Sequence, residues 1–180
     1  MNKNAIKKFA IEAREKLISS VIDKAGMLGI TETEIFEPIN RGIDFEVYQT
    51  VAGTEVTLNK KQIEQRKKLV EQIKEKGFST IIEEVSYTWF NRICAIRFME
   101  VNDYLPIRTR ALSSEKEGKN EPDLVTQALE LELGLSEKQR IYVVESKMDS
   151  NKADELYAFL FMRLCDQLYE ILPDLFEKTD

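Results

Sequence analysis

Hydrophobic residues recur at helical spacing along most of this chain. From Asn4 to Ala25 the apolar positions Ile6, Phe9, Ala13, Leu17, Val21 and Ala25 mark one side of a long amphipathic helix, which Gly26 and Gly29 stop. A second helix is predicted from Asn59, which has Gln62 at capping-box spacing, through the stripe Ile63, Leu69, Val70 and Ile73 to Gly77. A third runs from Thr80 to about Asn102. There Ile81, Ile82, Val85, Trp89, Ile93, Ile96 and Met99 fill one broad arc, while Tyr87, Phe90, Cys94, Phe98 and Val101 fill much of the rest. A helix that is apolar nearly all round is expected at the centre of a fold. The last long helix follows Ser150-Asn151, carries Leu156, Leu160, Leu164, Leu168 and Ile171, and ends before Pro173.

Shorter patterns fill the gaps. Thr31 to Glu34 has capping-box spacing and predicts a brief helical turn that Pro38 interrupts. Residues 43–48 alternate apolar with polar, residues 54–58 are rich in β-branched types, and Ala52-Gly53 lies between them, which predicts a small hairpin. Ser113 to Asn120 reads as a polar, flexible loop, Pro122-Asp123 as the start of a short helix through Leu133, and Ser136 to Val144 as helix. The expected fold class is mainly all-α: a single helical domain, a bundle around a buried central helix at about 80–102, with a minor β-hairpin near 43–58.

Composition removes whole classes of chemistry. The 180 residues are 43% hydrophobic and 32% charged, enough to bury a core. There is no histidine, so Ser-His-Asp catalysis and histidine metal sites are excluded. Two cysteines, Cys94 and Cys165, are too few for a zinc ribbon or a disulfide framework, and both read as small buried hydrophobes of a reducing, cytoplasmic compartment. The seven glycines are too scattered for a phosphate-cradling loop, and no apolar run is long enough to span a membrane.

Charge sharpens the picture locally. The net charge is −6, yet from Lys60 to Lys76 seven basic residues face three acidic ones. A basic helix is either a solvated face laced with pairs such as Glu64/Lys68 or a patch that tracks phosphates. The candidates for DNA-backbone contact are Lys60, Lys61, Arg66, Lys67 and Lys68, with Arg108 and Arg110 further on. Arg92 and Glu100 fall within the apolar third helix, about 12 Å apart along its axis. They cannot pair with each other, and each is expected to form a buried ion pair with another segment. The chain from Asp149 to its end is acidic.

One stretch is specific enough to carry a resemblance. Glu83-Glu84-Val85-Ser86-Tyr87-Thr88-Trp89-Phe90-Asn91-Arg92, continuing ICAIRFMEVNDYLP to Pro106, resembles the amino-terminal region of the adenine-specific DNA methyltransferases of BREX phage-defence systems, the PglX family. The opening MNKNAIKKFAIEAREKL and the ending Leu172-Pro173-Asp174-Leu175-Phe176 to Asp180 are similar too, with Ser86 standing where the family pattern has alanine. The resemblance implies a large enzyme that binds S-adenosylmethionine and methylates adenine N6 in double-stranded DNA. Its [N/D]-P-P-[Y/F] motif is missing, since Pro38, Pro106, Pro122 and Pro173 are isolated, so no catalytic or cofactor residue carries over. The chain then reads as a leading fragment. Its partners are its own catalytic domain, DNA and other defence-system proteins, with no membrane partner. The competing expectation is a stand-alone helical protein–protein interaction module without enzymatic activity.

Overall fold

The structure is a computed structural model that describes residues 3–176. Met1 and Asn2 of the similar opening, and Glu177 to Asp180 of the acidic end, lie outside the described residues. The chain divides into two compact units, Met1–Phe90 and Asn91–Asp180. The charge divides with it. Residues 1–90 hold 14 basic and 14 acidic side chains, and residues 91–180 hold 12 and 18, so the whole imbalance belongs to the second unit.

The first unit begins with α1 (Lys3–Met27). Only Ala25 of this helix is buried, and the leading turns leave Ile6, Phe9 and Ile11 exposed. Three short strands follow: β1 (Asn40–Arg41), β2 (Phe45–Gln49) and β3 (Glu55–Asn59), antiparallel in the order β1-β2-β3. The expected hairpin is thus present, widened by one edge strand. Register pairs Glu46 with Leu58 and Tyr48 with Val56, which puts these four on one face. Asn59 ends β3 and caps α2 (Lys60–Lys76) through the capping box with Gln62. The core gathers Ala25, Ile30, Ile73, Ile81 and Ile82, with Tyr48, Leu58 and Ile63 as a second cluster that shares Leu28.

Thr31 to Glu34 is not helical. Thr31 donates its backbone N–H to the Glu34 carbonyl at 2.9 Å, and its hydroxyl accepts from the Glu34 N–H at 2.8 Å. These bonds close a tight turn between the bridged residues Ile30 and Ile35. The three-residue spacing that suits a helix start serves a reverse turn equally well.

The helix α3 (Phe78–Val101) contributes to both units. Its last turn ends in a Schellman motif: Asp103 is left-handed at φ 56° and the Tyr104 N–H reaches the Met99 carbonyl at 2.8 Å. The rings of Phe98 and Tyr104, 6.0 Å apart, supply the apolar contact that accompanies this cap. The second unit continues with α4 (Asp123–Thr126), α5 (Glu137–Met148), a 3-10 turn (Ser150–Lys152) and α6 (Ala153–Ile171). Ser136 and Gln139 form the capping box of α5. Leu156, Leu160, Leu164 and Leu168, four residues apart, are all but sealed and make α6 the spine of this unit. Each such side chain stabilises by about 1.5–3 kcal/mol.

Two further readings change. The short helix expected to reach Leu133 stops at Thr126. The polar loop after Ser113 is pinned by buried Asp123, whose carboxylate accepts from the Ser114 hydroxyl and the Glu115 N–H, both at 2.7 Å. Burial alone would raise the Asp123 pKa. These two hydrogen bonds, with the nearby charges of Arg110 and Lys116, outweigh that and hold it below the ordinary carboxylate value.

Candidate functional site

The helical period sets what α2 shows to water. Ile63, Arg66, Leu69, Val70 and Ile73 fall on one side, and all are buried or half-buried. Lys60, Lys61, Lys67 and Lys68 are exposed on the remainder. Glu64, Glu71 and Glu75 run down the middle of that exposed surface. They separate a row of Lys60, Lys67 and Lys74 from Lys61 and Lys68, and Lys67 pairs with Glu64 at 3.4 Å.

Arg66 is not part of this surface. Its Nε donates to the Leu28 carbonyl at 2.9 Å and its Nη2 to the Phe36 carbonyl at 2.7 Å. Its guanidinium lies 3.9 Å from the centre of the Tyr48 ring. Tyr48 in turn donates its hydroxyl to Glu46, and burial, with that bond, raises its pKa. The side chain expected to meet phosphate instead ties α2 to the sheet and to the irregular segment before it.

Arg108 and Arg110 belong to the second unit, and the lysines of α2 to the first. Arg108 is exposed and left-handed at φ 47°, closing a turn in which its N–H reaches the Leu105 carbonyl at 2.9 Å. Arg110 donates to the Ser114 carbonyl at 3.4 Å and lies 3.8 Å from the Glu115 carboxylate. Both line a hollow of about 370 Å³ together with Glu100, Asp103 and Glu115. Three carboxylates against two guanidiniums do not make an anion site.

Glu100 is sealed, with a fully buried side chain. Its carboxylate accepts from the Leu112 N–H at 2.7 Å, the Ser113 hydroxyl at 2.6 Å and the Arg97 guanidinium. Burial pushes its pKa up, but these donors together hold it below the ordinary value. Arg92 is buried too and donates through Nε to the Leu175 carbonyl at 3.2 Å. So Glu100 finds its charge partner on its own helix.

The side of α3 opposite this network is the feature that the periodicity did not foretell. Within the second unit, Cys94, Phe98 and Val101 are exposed, with Phe98 at 61% and Val101 at 63%. They follow Asn91 at alternating intervals of three and four residues, the spacing of a seam that packs on another helix. Cys94, read from sequence as buried, lies in this seam. Cys165 is buried, and burial pushes its thiol up to about 11. Among the described residues no cluster of acidic or cysteine side chains is arranged to hold a metal ion, and no helix is long and apolar enough to cross a membrane.

No protein-family model matches the chain. Two curated proteins match it from end to end. The adenine-specific methyltransferase PglX of Lacticaseibacillus casei (strain Zhang) is 39% identical over 193 aligned residues, covering all of this chain and 16% of the relative. The adenine-specific methyltransferase BrxX of Escherichia coli O9:H4 (strain HS) is 33% identical over 185, covering all of this chain and 15% of the relative. The chain therefore spans about one sixth of the length of these relatives and matches their amino-terminal region.

Proposed function

We propose, from its likeness to the amino-terminal region of the PglX and BrxX adenine-specific methyltransferases, that this chain is the non-catalytic helical lead of such an enzyme. Its role there is to dock on the part that carries the chemistry. That part would bind S-adenosylmethionine and methylate adenine in double-stranded DNA. The residues described here do not fit the methyl donor. Gly29 and Gly42 pack against Gln49, Phe36 and Phe45 of the chain itself, Gly26 lies within α1, and the remaining glycines stand singly, so no glycine-rich cradle forms among them.

The observation that carries the docking reading is the uncovered seam of α3. Burying what remains exposed of Phe98 and Val101 against a partner helix is worth about 1–2 kcal/mol each, a gain that the isolated chain forgoes. Asn91, at a polar position within an otherwise apolar seam, fits a contact whose register matters. The test is a chimera in which this chain replaces the leading sixth of the Lacticaseibacillus casei enzyme. The parent chimera is expected to methylate DNA, and Phe98→Glu with Val101→Glu to abolish methylation while the chain alone still folds. Full activity in the double variant would refute the docking role.

A second reading is supported by the exposed lysines of α2: contact with the DNA backbone through Lys60 and Lys67, or through Lys61 and Lys68. Such contacts position a duplex without reading its sequence. Arg66 is left out of them because it is enclosed.

A further inference from the structure

The first unit holds a groove that the docking reading does not use. It has a volume of about 570 Å³ and opens between the end of α1, the turn joining β2 to β3, and Phe78. Its walls are mostly apolar, and Ile22, Met27 and Val51 stand about half in water at 43%, 53% and 56%. Clefts of this size, apolar with a few polar groups at the edge, are what binding sites are made of.

The groove is already built. The Val51 N–H donates to the Gly26 carbonyl at 3.0 Å, which fixes the turn against α1. The hydroxyls of Thr50 and Thr54 bond at 2.8 Å and brace the turn from within. The turn lies close on α1: a Cβ built on Gly26 would stand 3.4 Å from Val51, in ordinary contact. A wall held by these bonds need not be ordered when a ligand arrives, which favours binding.

Charge says what kind of ligand fits. The titratable side chains that line the groove are Asp23 and Glu32, both exposed carboxylates, and no lysine or arginine lines it. Glu32 is steadied by the Ser79 hydroxyl at 3.4 Å. Two negative charges beside a low-dielectric wall favour a cation that arrives with apolar surface attached. We infer that the groove binds a peptide segment of a partner protein. The segment seats an aromatic or branched side chain against Met27, Val51 and Phe78 and lays a lysine or arginine beside Asp23 and Glu32. This inference uses the first unit only and stands whether or not the seam of α3 docks.

The test is an NMR titration of the isotope-labelled 180-residue chain with two probes, acetyl-Ala-Phe-Lys-Phe-Ala-amide and its counterpart with glutamate for lysine. The lysine peptide is expected to shift the amides of Met27, Val51, Ala52 and Phe78 and, at low salt, to bind about three- to five-fold tighter than the glutamate peptide. Asp23→Asn with Glu32→Gln removes that preference, and Ala52→Trp, which fills the groove, removes the shifts from both peptides. Shifts scattered away from these residues, equal binding of the two peptides, or a preference that survives in the double variant would overturn the assignment.

Discussion

The guanidinium of Arg66 lies 3.9 Å from the centre of the Tyr48 ring and donates to the carbonyls of Leu28 and Phe36. One side chain thus joins α2, the sheet and the segment between α1 and β1. Arg66→Ala leaves two carbonyls without their donor and is expected to cost about 2–4 kcal/mol in a denaturant titration. Arg66→Lys keeps the charge but loses the fork and the stacking plane, so it should cost more than half as much. A lysine variant as stable as the parent would show that charge alone matters at this position.

The second unit is expected to weaken in acid. Glu100 and Asp123 are held below their ordinary values of 4.5 and 3.8 in the folded chain. On acidification the unfolded chain takes up these protons first. The stabilisation is therefore complete above the ordinary values and is lost as pH falls through the lower folded ones. Thermal melts between pH 7 and about pH 2.5 should show this loss, and Glu100→Gln, which has no charge to lose, should flatten it. An unchanged pH slope in that variant counts against Glu100 as a source.

Gly29 and Gly53 make a controlled pair. Both are left-handed, at φ 65° and 80°. A Cβ on Gly29 would stand 2.8 Å from the Gln49 carbonyl oxygen, whereas one on Gly53 meets nothing within 4 Å. Gly53→Ala pays only the backbone penalty of about 1–2 kcal/mol. Gly29→Ala adds a collision with backbone and should destabilise by at least about 1 kcal/mol more. Equal costs would mean that α1 and the sheet are not as closely apposed as described.

Binding of DNA through α2 carries its own signature. The carboxylate stripe of Glu64, Glu71 and Glu75 lets a duplex meet one row of lysines at a time. Two or three phosphate contacts predict a slope of log affinity against log salt of roughly −2 to −3. Lys67→Glu with Lys68→Glu takes a lysine from each row and should reduce both affinity and slope. A slope near zero, or unaltered binding in the double variant, removes this helix from any DNA interface.

Much of this was legible in the sequence. The capping box of Asn59 and Gln62, the hairpin and the leucine spine of α6 each rest on a local signal that tertiary packing did not override. The burial of Arg66 is masked by the basic run in which it stands, although its position three residues after Ile63 and seven before Ile73 places it on the buried stripe. Its acceptors lie in a segment where helical and strand periodicity are silent. The periodicity of α3 predicts burial nearly all round. Apolar positions record where covering is needed, not which polypeptide supplies it, and one side of this helix is uncovered among the described residues.

Cys94 offers the most direct measurement of that missing cover, because it lies in the seam while Cys165 is buried with its thiol pushed up to about 11. Thiol labelling with a methanethiosulfonate reagent should modify Cys94 and spare Cys165 in the chain alone. In the chimera with the Lacticaseibacillus casei methyltransferase, docking predicts that Cys94 becomes protected by at least about tenfold in rate, with Cys165 as the internal reference. Labelling of Cys94 at the same rate in both would contradict the claim that α3 packs on the catalytic part of the enzyme.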